Sequence, residues 1–216
     1  MRYILIILLL STFGLNAQKR FINSLHFNVF GNQIDGDGHG GYNHVGLQGG
    51  LGTLVKFNNS KNAVGFEINY AQKGARKWAR PAENDFSSMV IKLNYVEVPL
   101  FFVFDSWGIP FEVGPVFSYL IDAPPPKYND FAPPVHNQEF REFELGGMFG
   151  LNYKISQKLY FKFRITNSLT PIYKADPIVI PGWLAGGWHR GAGINITYFF
   201  NNPNFKKEDL DPVIQE

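Results

Sequence analysis

The chain has 216 residues, a formal charge of +2, 16% aromatic residues and no cysteine. So small a net charge gives no reason to expect a nucleic-acid or acidic partner. The lack of cysteine excludes a disulfide-stapled secreted module and a lipoprotein. After the N-terminal region no segment reaches 18 consecutive apolar residues, which excludes helical membrane spans. The length suits a single domain.

The N-terminus has the pattern of a secretory signal peptide. Arg2 precedes an apolar run from Tyr3 to Leu10, and Ala17 stands at a cleavage position before Gln18. This run is too short to cross a bilayer as a helix. We therefore expect a signal peptide over residues 1–17 and one domain over residues 18–200. Residues 201–216 are polar and aperiodic, and they predict a disordered periplasmic tail.

Eight segments of alternating apolar and polar residues follow along the chain. Most have about ten residues, the length that a tilted strand needs to cross the hydrocarbon layer. The eight segments are Ser24–Phe30, Val45–Phe57, Val64–Lys73, Ser87–Phe104, Phe111–Ile121, Phe143–Lys154, Lys158–Ser168 and Trp188–Phe199.

The seventh segment shows two chemically different faces. Phe161, Phe163 and Ile165 alternate with Lys162 and Arg164, and successive side chains of a strand point to opposite faces. A soluble barrel such as a lipocalin would turn the apolar face inward, whereas a transmembrane barrel turns it outward. In several segments the opposite face combines glycines with charges, which a small apolar core would hold only at a high desolvation cost. The pattern therefore favours a transmembrane barrel.

The fourth segment changes phase. Its apolar residues have one parity from Met89 to Tyr95 and the other from Val96 to Phe104. A β-bulge near Tyr95–Val96 would return the apolar face to the lipid, and Pro99, which cannot donate to a ladder, suits such an irregularity.

The connections between the segments alternate between long and short. The short ones, rich in Asn, Ser, Gly and Pro, are of the turn type. This alternation predicts an all-β fold, an eight-stranded antiparallel up-and-down transmembrane β-barrel in a Gram-negative outer membrane. With a periplasmic N-terminus, all four long loops lie outside the cell and the C-terminus is also periplasmic.

Charged residues on the inward face form the first candidate site. Since an eight-stranded barrel is just wide enough for its own side chains, we expect them to pair into a structural plug, with Glu112 and Lys154 together near the periplasmic end. A narrow ion path is the alternative, and Lys92 is also predicted to point inward. The predicted cluster comprises Glu67, Glu97, Glu112, Lys154, Lys162 and Arg164.

Two loops carry further candidates. The second loop places Arg76, Lys77, Trp78 and Arg80 where they would face lipopolysaccharide phosphates, for which Arg and Lys are natural partners. The first loop, residues 35–41, reads Asp-Gly-Asp-Gly-His-Gly-Gly. Asp35 and Asp37 would suit a hard cation, but the ligand spacing of an EF-hand loop is lacking. We expect a mobile loop, no metal and no cofactor.

The alternative of an enzyme that modifies lipid A rests on His189. Ser87, Ser88 and Ser168 are predicted to lie near its level in the barrel. No nucleophile motif accompanies them, and nothing in the sequence brings a serine within reach of His189. We therefore expect no catalytic residue and no enzyme activity.

Four motifs carry a resemblance to a known family. They are the glycine-rich Gly46–Leu54, Phe66–Gly74 (FEINYAQKG), Leu93–Leu100 (LNYVEVPL) and Phe111–Phe117 (FEVGPVF). In these the chain resembles the PorT-like small outer-membrane β-barrel proteins of Bacteroidota. The resemblance implies a structural or interaction component of an envelope assembly, linked to type IX secretion. Its partners would contact the extracellular loops or the periplasmic tail.

Overall fold

The computed structural model describes residues 21–35, 41–57, 62–106, 108–131, 139–172 and 187–203. The predicted signal peptide, Asp37 and most of the predicted tail lie outside these residues. The strands are β1 (Phe21–Asp35), β2 (His44–Lys56), β3 (Ala63–Lys77), β4 (Met89–Ser106), β5 (Ile109–Asp122), β6 (Lys127–Tyr128), β7 (Phe143–Lys154), β8 (Leu159–Ser168) and β9 (Trp188–Phe199).

The eight long strands form a closed antiparallel ring. Each pairs with the next long strand along the chain, and β1 pairs with β9 from Ser24↔Phe199 to Asp35↔Trp188. The two-residue strand β6 adds to β4 beside the ring. The predicted eight-stranded up-and-down barrel is confirmed.

The barrel has two unlike ends. The connections at residues 57–62, 107–108 and 155–158 are short and define what we call the turn end. The connections at the opposite end, the loop end, are longer. One of them carries a 3-10 turn at Pro81–Glu83. In the described part of the chain, no helix has the length and apolar character needed to cross a membrane.

The outer face of the barrel is apolar and the inner face is polar at mid-height. Ile68 is 55% exposed while its neighbour Glu67 is 2% exposed, and the same alternation runs along every long strand. Tyr70 and Tyr119 lie toward the loop end and Tyr153 and Tyr198 toward the turn end, all facing outward. Such tyrosines are typical of the two interfaces of a transmembrane barrel. The inverted arrangement expected of a membrane barrel is therefore present.

The predicted bulge in β4 is wrong. Met89 and Tyr95 point inward, on the same side as Glu97, so β4 keeps one phase throughout. The register shift lies at the expected height, but the extra residue is Ile121 of β5, since Asn94 pairs with Asp122 and Tyr95 with Leu120. The sequence pattern misled because the barrel interior is itself apolar at the loop end.

Strand β3 runs four residues beyond its predicted end. Gly74 permits this, because it has a φ of +150° and a Cβ there would lie 2.1 Å from the carbonyl oxygen of Ile91 on the neighbouring strand. Only glycine combines that backbone conformation with so close an approach. As a consequence Arg76 and Lys77, which the sequence analysis placed in the second loop, belong to the strand.

Two apolar clusters close the interior above and below its polar middle. The first cluster lies mainly at the turn end, although its members Val116 and Met148 lie farther from that end than Glu112 does. Its members are Ile22, Leu54, Ala63, Phe101, Val103, Val116, Met148, Tyr160 and Phe199. The members of the second cluster, at the loop end, are Ile34, Ala75, Met89, Ile91, Leu93, Tyr95 and Ile172, with Leu120 and Phe140 packed against them. The charged residues of the inner face at mid-height therefore have apolar side chains toward both ends of the barrel.

Candidate functional site

Arg164 organises the polar layer nearer the turn end. Its Nη1 and Nη2 atoms donate to the two carboxylate oxygens of Glu67, both at 2.7 Å. Its Nε donates to Glu112. A guanidinium shared between two carboxylates uses the planar fork of donors that lysine lacks. We call the group formed by His26, Glu67, Asn69, Glu112, Lys162 and Arg164 the turn-side network.

The remaining contacts complete this network. Lys162 Nζ lies 3.2 Å from Glu112 Oε2, and His26 Nε2 lies 2.6 Å from Asn69 Oδ1. Lys154 does not take part: it is exposed at the turn end of β7. The expected pair of Glu112 with Lys154 is therefore wrong, because Lys154 has the right parity but lies past the enclosed part of the barrel.

Glycines on the inner face make room for these large side chains. A Cβ on Gly150, which is opposite Glu112 in the ladder, would lie 2.6 Å from the Glu112 side chain. A Cβ on Gly52 would lie 3.0 Å from Glu67 Cγ. The mixture of glycine and charge seen in the sequence is thus a packing requirement of a narrow lumen.

A second network lies nearer the loop end. Lys73 Nζ is 2.6 Å from Glu97 Oε1 and 3.1 Å from Glu144 Oε1. Gln48 Nε2 donates to Glu97 at 2.6 Å, and His189 Nδ1 lies 2.8 Å from Glu144 Oε2. We call Gln48, Lys73, Glu97, Ser118, Glu144 and His189 the loop-side network.

The predicted single cluster is therefore two. Glu67, Glu112, Lys162 and Arg164 lie together as expected, whereas Glu97 belongs to the loop-side network. Its cation, Lys73, ends the predicted third segment and is absent from the predicted cluster. The parity that Lys73 shares with Glu67 and Asn69 is the signal that would have placed it inside.

The charged side chains of the two networks are buried or largely buried and bound to one another. In the turn-side network two carboxylates, Glu67 and Glu112, meet two cations, Lys162 and Arg164. Toward the loop end, Leu93, Tyr95 and Ile172 are fully buried across the interior.

His189 and Ser168 are neighbours, but not in the manner of a base and its nucleophile. Ser168 Oγ accepts from the His189 backbone N–H at 2.6 Å and donates to the His189 carbonyl at 3.2 Å. Both side chains point into the closed interior. Ser87 lies elsewhere, with its hydroxyl 2.6 Å from Asp85.

The four predicted lipopolysaccharide contacts divide into two kinds. The Arg76 guanidinium lies 3.4 Å over the ring of Trp78, which is exposed. Lys77 Nζ is instead 2.9 Å from Asp85, and Arg80 Nη1 is 3.3 Å from Glu83.

Two acidic residues near the loop end have partners of their own. Hydrogen bonds from Ser87 and Lys77 hold the pKa of Asp85 well below the usual range of an aspartate. Asp35, one of the two carboxylates considered for a cation, lies 2.7 Å from Arg190 Nε.

A closed ring of eight antiparallel strands, apolar outside and charged inside, defines a transmembrane β-barrel. The model of the outer membrane protein beta-barrel domain family matches residues 10–174. The chain belongs to this family, and it is an outer-membrane protein.

Several solved barrels are similar in fold. Neisserial surface protein A has 9% identity and a TM-score of 0.47, over 82% of this chain and 96% of that one. Ail, the attachment invasion locus protein of Yersinia pestis, has 13% identity and a TM-score of 0.42, over 84% and 98%. CarO of Acinetobacter baumannii has 12% identity and a TM-score of 0.42, over 81% and 97%. No curated protein matches the chain in sequence.

Proposed function

We propose that this protein is a non-catalytic component of an envelope assembly, acting through its surfaces rather than its interior. The filled interior of the barrel is the observation that supports this proposal. Two ionic networks fill the middle of the barrel, and an apolar cluster covers each of them. General diffusion channels need about sixteen strands, so an eight-stranded barrel filled in this way favours a structural or interaction role.

The inward orientation of His189 supports the non-catalytic assignment. A lipid A-modifying enzyme must present its base and nucleophile to the lipid or to the outer rim. Here the His189 ring contacts Glu144 and Tyr95 inside the barrel. The Ser168 hydroxyl is held by backbone atoms. Neither group faces the lipid.

We propose further that the loop end faces the cell exterior and that both termini are periplasmic. The long connections then meet lipopolysaccharide and extracellular partners, as is usual for barrels of this kind. Arg76, Lys77, Trp78 and Arg80 would line that surface. The resemblance to the PorT-like group makes the type IX secretion system the first assembly to examine.

The test is purification of the full chain from native outer membranes in a mild detergent, with co-purifying proteins identified by mass spectrometry. An affinity tag would replace residues 58–61 at the turn end, which leaves the loops and the tail unmodified. A stoichiometric partner is expected.

Two matched variants locate the contact, one lacking residues 204–216 and one with residues 123–142 replaced by a short turn. Loss of the partner in either variant would assign it to the tail or to that loop. A solitary barrel at native expression would overturn the proposal.

A further inference from the structure

Three cations lie together on the outward face of β3, β4 and β6. Arg76 pairs with Val90, and Val90 pairs on its other side with Lys127. Lys92 pairs with Gly74, one outward position further along β4. Paired residues project from the same side of a sheet, and this side is the outer one. We call Arg76, Lys92 and Lys127 the rim cations.

The register places the rim cations close together. Neighbouring strands lie about 4.8 Å apart, and residues two apart along a strand about 6.7 Å. The three backbone positions therefore span an area of roughly 10 by 7 Å. Like charges at this spacing repel one another unless an anion lies between them.

No carboxylate of the described residues neutralises the rim cations. None of the three has an ion pair within 4.0 Å in the part of the chain that the structure describes. Of the nearby acids, Asp85 is bound to Lys77. Asp122 accepts from the neutral side chain of Asn94 at 3.0 Å and keeps its own charge, but it forms no ion pair with the rim cations. Among the described residues, the three rim cations therefore outnumber the single carboxylate near them that has no cationic partner, Asp122.

Their height on the barrel is that of lipid headgroups. The outward apolar residues of β3 end at Tyr70, whose hydroxyl donates to Asn94 at 2.9 Å. Lys92 is the next outward residue of β4 beyond Asn94. Trp78, which is 54% exposed beside Arg76, belongs to the residue type enriched at such interfaces.

We propose that the rim cations bind the phosphates of a lipid A molecule in the outer leaflet. Arginine and lysine form strong charge-assisted bonds with phosphate, and Trp78 covers the edge of the site. The proposal rests on the orientation given under "Proposed function". Lipid A would then bind on the outward face of the sheet and not at the loop tip, because Lys77 and Arg80 at the tip already have carboxylate partners.

The test compares lipid binding by the full chain in detergent micelles, measured by native mass spectrometry. The probes are bisphosphorylated lipid A and the same lipid A with both phosphates removed. The test variant is Arg76→Gln/Lys92→Gln/Lys127→Gln. The matched control, Lys56→Gln/Lys154→Gln/Lys158→Gln, removes the same charge at the turn end.

We expect the parent chain and the control to bind bisphosphorylated lipid A alike. The test variant should bind it about a hundredfold more weakly, because several hydrogen bonds to charged groups are lost. Heat-modifiable migration in gels, if retained, shows that a variant is folded. The single variant Lys92→Gln removes only one of the three charges and serves if the triple variant does not fold. Equal binding of the two lipids, or equal loss in the control, would overturn the site. Displacement of lipid A by low concentrations of inorganic phosphate would overturn the lipid assignment in favour of a soluble anion.

A separate measurement tests the orientation. The chain has no cysteine, so Phe131→Cys, at an exposed position of the loop end, gives a single labelling site. An impermeant maleimide should label it on intact cells. Labelling without lipid binding would refute the lipid site alone, whereas no labelling before lysis would refute the orientation and with it the proposed function.

Discussion

Replacing Arg164 by glutamine is the sharpest test of how the barrel is supported. Arg164 makes two bonds of 2.7 Å to Glu67 and a further bond to Glu112. All three side chains are buried, with exposures of 2% or less. In Arg164→Gln one cation, Lys162, remains for two carboxylates.

The magnitude follows from this loss of balance. Removing one partner of a buried ion pair costs about 3–5 kcal/mol, because a charge is left uncompensated in a poorly solvated place. In the double variant Glu67→Gln/Arg164→Gln one carboxylate and one cation remain, so the charges balance again. We therefore expect the double variant to be more stable than Arg164→Gln, although it lacks one more native group.

The assay is equilibrium unfolding by urea in lipid vesicles, followed by tryptophan fluorescence. Arg80→Gln is the matched control: its side chain is 59% exposed and its pair with Glu83 is solvated. Such surface pairs contribute about 0–1 kcal/mol. An Arg164→Gln barrel no less stable than the Arg80→Gln barrel would show that water reaches the lumen. A double variant less stable than the single one would refute charge balance as the cause.

Four other outcomes are expected. Ile194→Arg, on the lipid-facing side, should lower the free energy of unfolding by about 2–4 kcal/mol in vesicles, and a neutral result would contradict the assignment of faces. Gly114→Ala should lower the free energy of unfolding by about 1–3 kcal/mol or more, because its Cβ would lie 1.9 Å from the Leu100 carbonyl oxygen. Gly147→Ala should be nearly neutral, because the nearest atom to its Cβ lies at 3.9 Å. Equal effects of the two substitutions in the same unfolding assay would refute the packing argument. Planar-bilayer recordings of the parent chain should show no conductance steps, and regular steps would disprove the sealed lumen. Lipid A from cells expressing the chain or its His189→Ala variant should have the same mass spectrum, and a difference between them would revive the enzyme hypothesis.

The barrel itself was predictable from the sequence because strand alternation is a local property. Each side chain faces opposite to its neighbour, so Phe161 and Lys162 were assigned to opposite faces without knowledge of any contact. The predicted bounds of β7 and β9 agree with the structure, since clear turn residues or glycine-rich runs flank both strands. The change in apolar parity along β4 also lies at the height of the register irregularity between β4 and β5, although the extra residue belongs to β5.

The partners of the charged residues were not predictable in the same way. Whether Lys154 or Lys162 meets Glu112 depends on strand tilt and register, which the alternation of a single strand does not contain. The extension of β3 to Arg76 and Lys77 depends on Gly74, whose close approach to Ile91 becomes apparent only when β3 and β4 are paired.

The sequence by itself determined an outer-membrane barrel with an apolar exterior and a charged interior. The tertiary structure decided that the interior is layered, with apolar clusters beyond both networks. It also decided that Lys92 faces outward, where it joins Arg76 and Lys127. The physical reason is that apolar residues suit both the lipid side and a dry interior. Hydrophobicity alone therefore did not reveal the phase of β4, and closure of the ring was needed to place its two faces.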